Sequence, residues 1–131
     1  ALSILKLLDL GVHQQYKIEQ FYRISGTTPY THSFVVVNRN KGDCANPYSW
    51  NDGAVFICAW YKVCFSVAEL RNDPSLLEKY FLIKPVACQV YEVNPKGNLP
   101  PAYQYALIEF KGKIESKELE TTKAAFLRYK Y

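Results

Sequence analysis

Apolar and polar positions along the 131-residue chain change period several times, and each change marks an element. Leu2, Leu5 and Leu8, joined by Ile4 and Leu7, recur at helical spacing, and Gly11 is a natural stop. This predicts a helix from Leu2 to Leu10. Period two takes over next: Tyr16, Ile18, Gln20 and Tyr22 alternate with Lys17, Glu19, Phe21 and Arg23. That is a strand with one polar face, interrupted by Phe21. After a turn at Ser25-Gly26-Thr27-Thr28-Pro29, His32 to Val37 is a near-continuous apolar run, the mark of a strand buried on both faces. Asn38 to Asp52 is a long polar connection. Gly53 to Trp60 reads as a third strand, and Tyr61 to Phe65 either continues extended or turns.

Ser66-Val67-Ala68-Glu69 has the form of a capping box, and Asp73-Pro74 supplies a second helix start. Two short helices are therefore expected between Val67 and Phe81. Pro85 to Val93 reads as a strand, Asn94 to Pro101 as a turn-rich loop, and Tyr103 to Lys111 as a further strand. Ser116 is placed to cap a last helix reaching Tyr129, with Leu119, Phe126 and Leu127 on its buried side. Helix, strands, helices, strands, helix is an α+β order. It implies a mostly antiparallel sheet of about five strands with flanking helices.

At this length a single domain spanning 1–131 is expected, large enough to bury a core without staples. A hydrophobic fraction of 49% excludes a disordered chain, and no apolar run approaches a membrane span. Cys44, Cys58, Cys64 and Cys88 show no Cys-x-x-Cys spacing, and there is no His-x-x-x-His, so no zinc site is read. Cys58 and Cys88 lie in apolar runs and read as small buried hydrophobes. The segment from Ala1 to Val12 contains Lys6 and Asp9 and has no cleavage-like tail, which does not fit a signal peptide. A reducing compartment follows. No phosphate-binding glycine loop and no calcium or magnesium spacing is present, so neither a cofactor nor a metal is expected.

Candidate chemistry gathers between Tyr30 and Phe65. His32 opens an apolar strand, Trp50-Asn51-Asp52 sits in the following loop, and Cys58-Ala59-Trp60 ends the next strand. In this arrangement the chain resembles the second half of a papain-like cysteine hydrolase, of the type found among bacterial effector proteins. The resemblance covers about residues 1 to 66. It implies a papain-like core lacking its first segment, and amide or isopeptide chemistry. In that family a histidine begins one strand, and an Asp or Asn on the next strand orients it. A thiolate needs a nearby imidazole, and the imidazole needs a partner that fixes its tautomer.

Carried over residue by residue, His32 takes the position of the general base. Cys58 stands where the orienting carboxylate is expected, and a thiol is a poor hydrogen-bond partner for that task. Asp52 or Asn51 is the alternative source of an orienting group. The nucleophile belongs at the start of the first helix, which contains no cysteine. The resemblance therefore places it just upstream of Ala1. The absence of methionine fits either a removed initiator or a chain cut from something longer.

The leading expectation is a papain-like effector-type cysteine hydrolase module, incomplete or degenerate, with a protein partner or protein substrate. It would act in the cytoplasm, or in a host cytosol if it is an effector. The alternative is a non-catalytic protein-binding module with an aromatic-rich face, because Tyr and Trp favour interfaces. A single-stranded nucleic-acid binder is a third reading, since 15% of residues are aromatic and the net charge is +4. It is disfavoured: Lys111, Lys113, Lys117, Lys123, Arg128 and Lys130 are interleaved with Glu115, Glu118 and Glu120, as on a solvated helix face. Trp50 and Trp60 read as core or loop anchors, and His13 as a partner for the carbonyls ending the first helix.

Overall fold

The computed structural model describes residues 2–24, 31–44, 46–59, 61–77, 88–92 and 120–129. The expected strand at 103–111, the loop at 94–101, the cap at Ser116 and the anchor Trp60 lie outside them. Helix α1 spans Leu2–Asp9. Strands β1 (Ile18–Ile24), β2 (Thr31–Val37), β3 (Val55–Cys58) and β4 (Val63–Ser66) follow, then helix α2 (Val67–Asn72). Strand β5 (Cys88–Glu92) and helix α3 (Glu120–Arg128) complete the described elements. The strands form one antiparallel sheet in the order β4-β3-β2-β1-β5. The α+β architecture is thus as expected. Of the two alternatives for Tyr61 to Phe65, the chain turns: Lys62 is at φ 56, and β4 comes back along β3.

Local chemistry explains most boundaries. Gly11, at φ 76, ends the first helical segment and starts a 3-10 turn over Val12–Gln14. Ser66 Oγ accepts from the Glu69 N–H at 3.1 Å and caps α2. The reciprocal half of the capping box is not made, because the Glu69 carboxylate is engaged by Arg128 and Tyr129. Asp73 Oδ1 likewise accepts from the Ser75 N–H and starts another helical turn.

Strand alternation divides the core in two. Ile18, Val35, Val37, Val55 and Ile57 line one face and are covered by Ile4 and Leu7 of α1, Val12, and Ala125 of α3. Phe21, Phe34, Val36, Phe56, Cys58 and Phe65 line the other, with Trp50, Ala54, and Val67 and Leu70 of α2. The stretch from Phe34 to Val37 is buried on both faces, as its apolar run requires.

Two expectations fail. The polar face read for β1 is buried: Glu19 and Phe21 sit under the aromatic cluster, because β1 is flanked by β2 and β5 and both its sides are covered. In α3 Phe126 packs on the core as expected, but the buried residues are Thr122 and Ala125, and Leu127 is 64% exposed; Leu119 lies outside the described residues. Positions 122, 125, 126 and 129 share one helical stripe, and 127 falls outside it.

Candidate functional site

The connection from Asn38 to Ala54 is tied down by its own side chains. Asn51 bridges its start, with Nδ2 donating to the Asn38 carbonyl at 2.8 Å and Oδ1 accepting from the Asn40 N–H at 2.9 Å. Ser49 Oγ accepts from the Asp43 N–H at 2.8 Å and donates to the Asn46 carbonyl at 2.6 Å. Trp50, 1% exposed, donates from Nε1 to the Asp43 carbonyl at 2.7 Å, so it is both core residue and loop anchor. Gly42 is at φ 96, and a Cβ there would stand 2.4 Å from the Ser49 carbonyl oxygen. Only glycine fits that approach. From α2, Arg71 donates to the Tyr48 and Trp50 carbonyls and to Asp52 Oδ1.

Beneath this loop lies a buried ion pair. Arg39 grips Glu19 with two hydrogen bonds, Nε to Oε1 at 2.9 Å and Nη2 to Oε2 at 2.7 Å, and its Nη1 donates to the Gly42 carbonyl. The guanidinium also lies 5.9 Å from the Phe21 ring centre and 5.7 Å from that of Trp50. A carboxylate this deeply buried demands such a fork, because an unpaired buried charge is strongly destabilising.

The three residues carried over from the resemblance are distributed as follows. His32 pairs with Arg23 in the β1–β2 ladder, and alternation assigns position 32 to the face of Phe34 and Val36. Cys58 ends β3 on that same face and is 0% exposed. The base position and the orienter position therefore lie on neighbouring strands and one side of the sheet. Asp52 does not join them. It precedes β3 at the end of the sheet where β2 finishes, so at least the five steps from position 32 to Val37, about 16 Å at a strand's rise per residue, separate the two. Its exposed carboxylate pairs with Arg71. Asn51 is committed to Asn38 and Asn40. Helix α1, the one expected to follow the nucleophile, packs on the opposite, aliphatic face.

Cys44, Cys58 and Cys64 are thiols, not disulfides. Cys58 and Cys64 belong to opposite faces, so neither could reach the other. Among the described residues no group of three His, Cys, Asp or Glu side chains is placed to hold a metal, and no helix is long and apolar enough to cross a membrane. His13 lies in the 3-10 turn, and its buried Nδ1 makes no hydrogen bond there. Trp50 and the phenylalanines stack on one another inside the core: Phe21 on Phe34, Trp50 on Phe56, Phe56 on Phe65. Tyr48 and Tyr61 are the described aromatics most open to solvent, each at 41%.

A second polar cluster had no signal in the sequence. Glu69 Oε1 accepts from Arg128 Nη2 at 2.7 Å and from the Tyr129 hydroxyl at 2.8 Å. Arg128 Nη1 reaches the Cys64 carbonyl at 3.4 Å. Burial pushes the Cys64 thiol above its ordinary value, against the pull of Arg128. Burial and the bond to Glu69 also push the Tyr129 hydroxyl upward. The partners are about sixty residues apart, beyond any local pattern. Comparison with family models, curated proteins and solved structures finds no match to the chain.

Proposed function

We propose that this chain is a catalytically silent module of the papain-like effector type that acts by binding protein. The observation that carries the reading is Cys58. Where the resemblance expects the orienter it is a thiol, 0% exposed in the cluster of Phe34, Phe56 and Phe65. Glu19, opposite Val36 of β2, and Asp52, just before β3, are held by Arg39 and Arg71. A helix on the aliphatic face also supports the reading, because a nucleophile at its start would be across the sheet from position 32.

Binding is favoured by the 38–54 loop. Long connections held in one conformation are suited to recognition, since little ordering entropy is lost on association. This loop presents Tyr48 to solvent from a backbone fixed by Arg71. The test is hydrolysis of amide and isopeptide substrates by the full natural protein, alone and as His32→Ala and Cys58→Asp. No turnover above the uncatalysed rate is expected in any of the three. Turnover lost in His32→Ala would return the chain to the hydrolases. A protein recovered with the natural chain is expected to lose about ten-fold in affinity on Tyr48→Ala.

A further inference from the structure

The turn that leads into β3 is gripped by both ends of α2. The Ala54 N–H donates to the Asn51 carbonyl at 3.1 Å, and neither Asp52 nor Gly53 is at positive φ, so residues 51–54 form a type I turn. The first N–H groups of α2, which have no partner inside the helix, close on this turn. Val67 donates to the Ala54 carbonyl at 2.8 Å and Ala68 to the Asp52 carbonyl at 3.2 Å. From the last turn of α2, Arg71 Nε holds Asp52 Oδ1 at 2.8 Å, and its other nitrogens hold the Tyr48 and Trp50 carbonyls. Asp52 is thereby fixed at both its carboxylate and its carbonyl.

The residue after Asp52 is a glycine, and that pair has a chemistry of its own. With no Cβ at Gly53, its amide nitrogen is open to the neighbouring carboxyl group. Attack of that nitrogen on Cγ of Asp52 forms a C–N bond. The amide proton and the carboxyl OH leave as water, and a five-membered imide closes. Water then adds to either carbonyl of the ring. Opening at Cγ restores aspartate. Opening at the former backbone carbonyl gives isoaspartate, with one more carbon in the main chain. Ring closure needs the Gly53 nitrogen on the Cβ side of Asp52. The first central residue of a type I turn has ψ about −30°, which turns that nitrogen toward the residue's own N instead. Reaching the ring therefore means pulling the Asp52 carbonyl off Ala68 and the carboxyl group off Arg71.

We propose that Asp52–Gly53 is a latent isoaspartate site, and that Arg71 is the residue that keeps it closed. Conversion lengthens the main chain inside the turn and so releases the 48–52 backbone from α2. The site is independent of whether the chain hydrolyses or only binds.

The full chain is incubated at neutral pH, folded and in urea, as wild type, Arg71→Ala and Arg71→Lys. Isoaspartate at position 52 is measured by fragmentation of the peptide that contains it. Amide hydrogen exchange of Val55–Cys58 reports whether the sheet is intact. Folded wild type is expected to convert on the order of ten-fold more slowly than the chain in urea. Arg71→Ala removes the hold on all three acceptors and is expected to convert several-fold faster than folded wild type, with exchange in β3 unchanged. Arg71→Lys keeps the charge, but its single nitrogen lacks the guanidinium fork, and an intermediate rate is expected. Equal rates for folded and urea-unfolded wild type, equal rates for wild type and both variants, or faster conversion only alongside lost protection in β3 would each overturn the proposal.

Discussion

On one face of the sheet, Phe21, Phe34, Trp50, Phe56 and Phe65 stack ring on ring beneath a loop locked to Arg39 and Arg71. On the other, Val35, Val37, Val55 and Ile57 meet two helices, and buried polar atoms of His13 and Thr122 find no hydrogen-bond partner among the described residues. The same strands make both faces, so the contrast comes from what covers them. The aromatic side is closed by segments adjacent in sequence to β2, β3 and β4. The aliphatic side is covered by α1, which precedes β1, and by α3, which arrives from much later in the chain. One face is closed by segments local in sequence, and the other in part by a distant helix.

The contrast is broken most severely by truncating the aromatic stack. Phe56→Ala is expected to cost about 3–5 kcal/mol in urea denaturation. Ile57→Val, one residue along on the aliphatic face, is expected to cost about 1 kcal/mol. Similar costs for two substitutions matched in size across the faces would remove the distinction. Next in size is the buried pair. Glu19→Gln leaves the Arg39 charge without its partner and is expected to lose about 3 kcal/mol. The double change Glu19→Leu with Arg39→Leu is expected to recover part of that loss in the same denaturation assay.

Gly42→Ala tests the loop. A positive φ and the close approach of the Ser49 carbonyl make about 2 kcal/mol the expected loss of stability. The smallest effect is on the aliphatic side, and it depends on pH. The neutral forms of Cys64 and Tyr129 are favoured by folding, so their stabilisation is whole below the ordinary thiol value of 9.0. It is lost as pH rises through the raised values of the folded protein, since the unfolded chain then sheds its protons first. Thermal unfolding followed upward from pH 8 is expected to show a decline that Cys64→Ala and Tyr129→Phe together reduce.

The sequence made β2, the Gly11 stop, the Ser66 cap and the anchoring of Trp50 legible, because each rests on contacts within a few residues or on an unbroken apolar run. Glu19 was read as solvent-facing because alternation reports a face and cannot report what covers it. Arg39, twenty residues on, turns that position into a core site. The stripe of α3 was misplaced for a related reason: Leu127 is more apolar than Thr122, yet the packing of α3 on β3 and β4 selects Thr122. β2 and β3, which carry position 32 and Cys58, are neighbours in the sheet. The separation of Asp52 from position 32, at opposite ends of β2, needed the register of the sheet.

The claim that matters most for function is that no thiol of this chain is a His32-dependent nucleophile. Labelling of the full natural protein with an electrophilic probe for cysteine hydrolases, resolved residue by residue, tests it directly. Wild type and His32→Ala are expected to label to the same extent at every cysteine, with Cys58 unlabelled until the protein unfolds. A cysteine labelled rapidly in wild type and spared in His32→Ala would contradict the account.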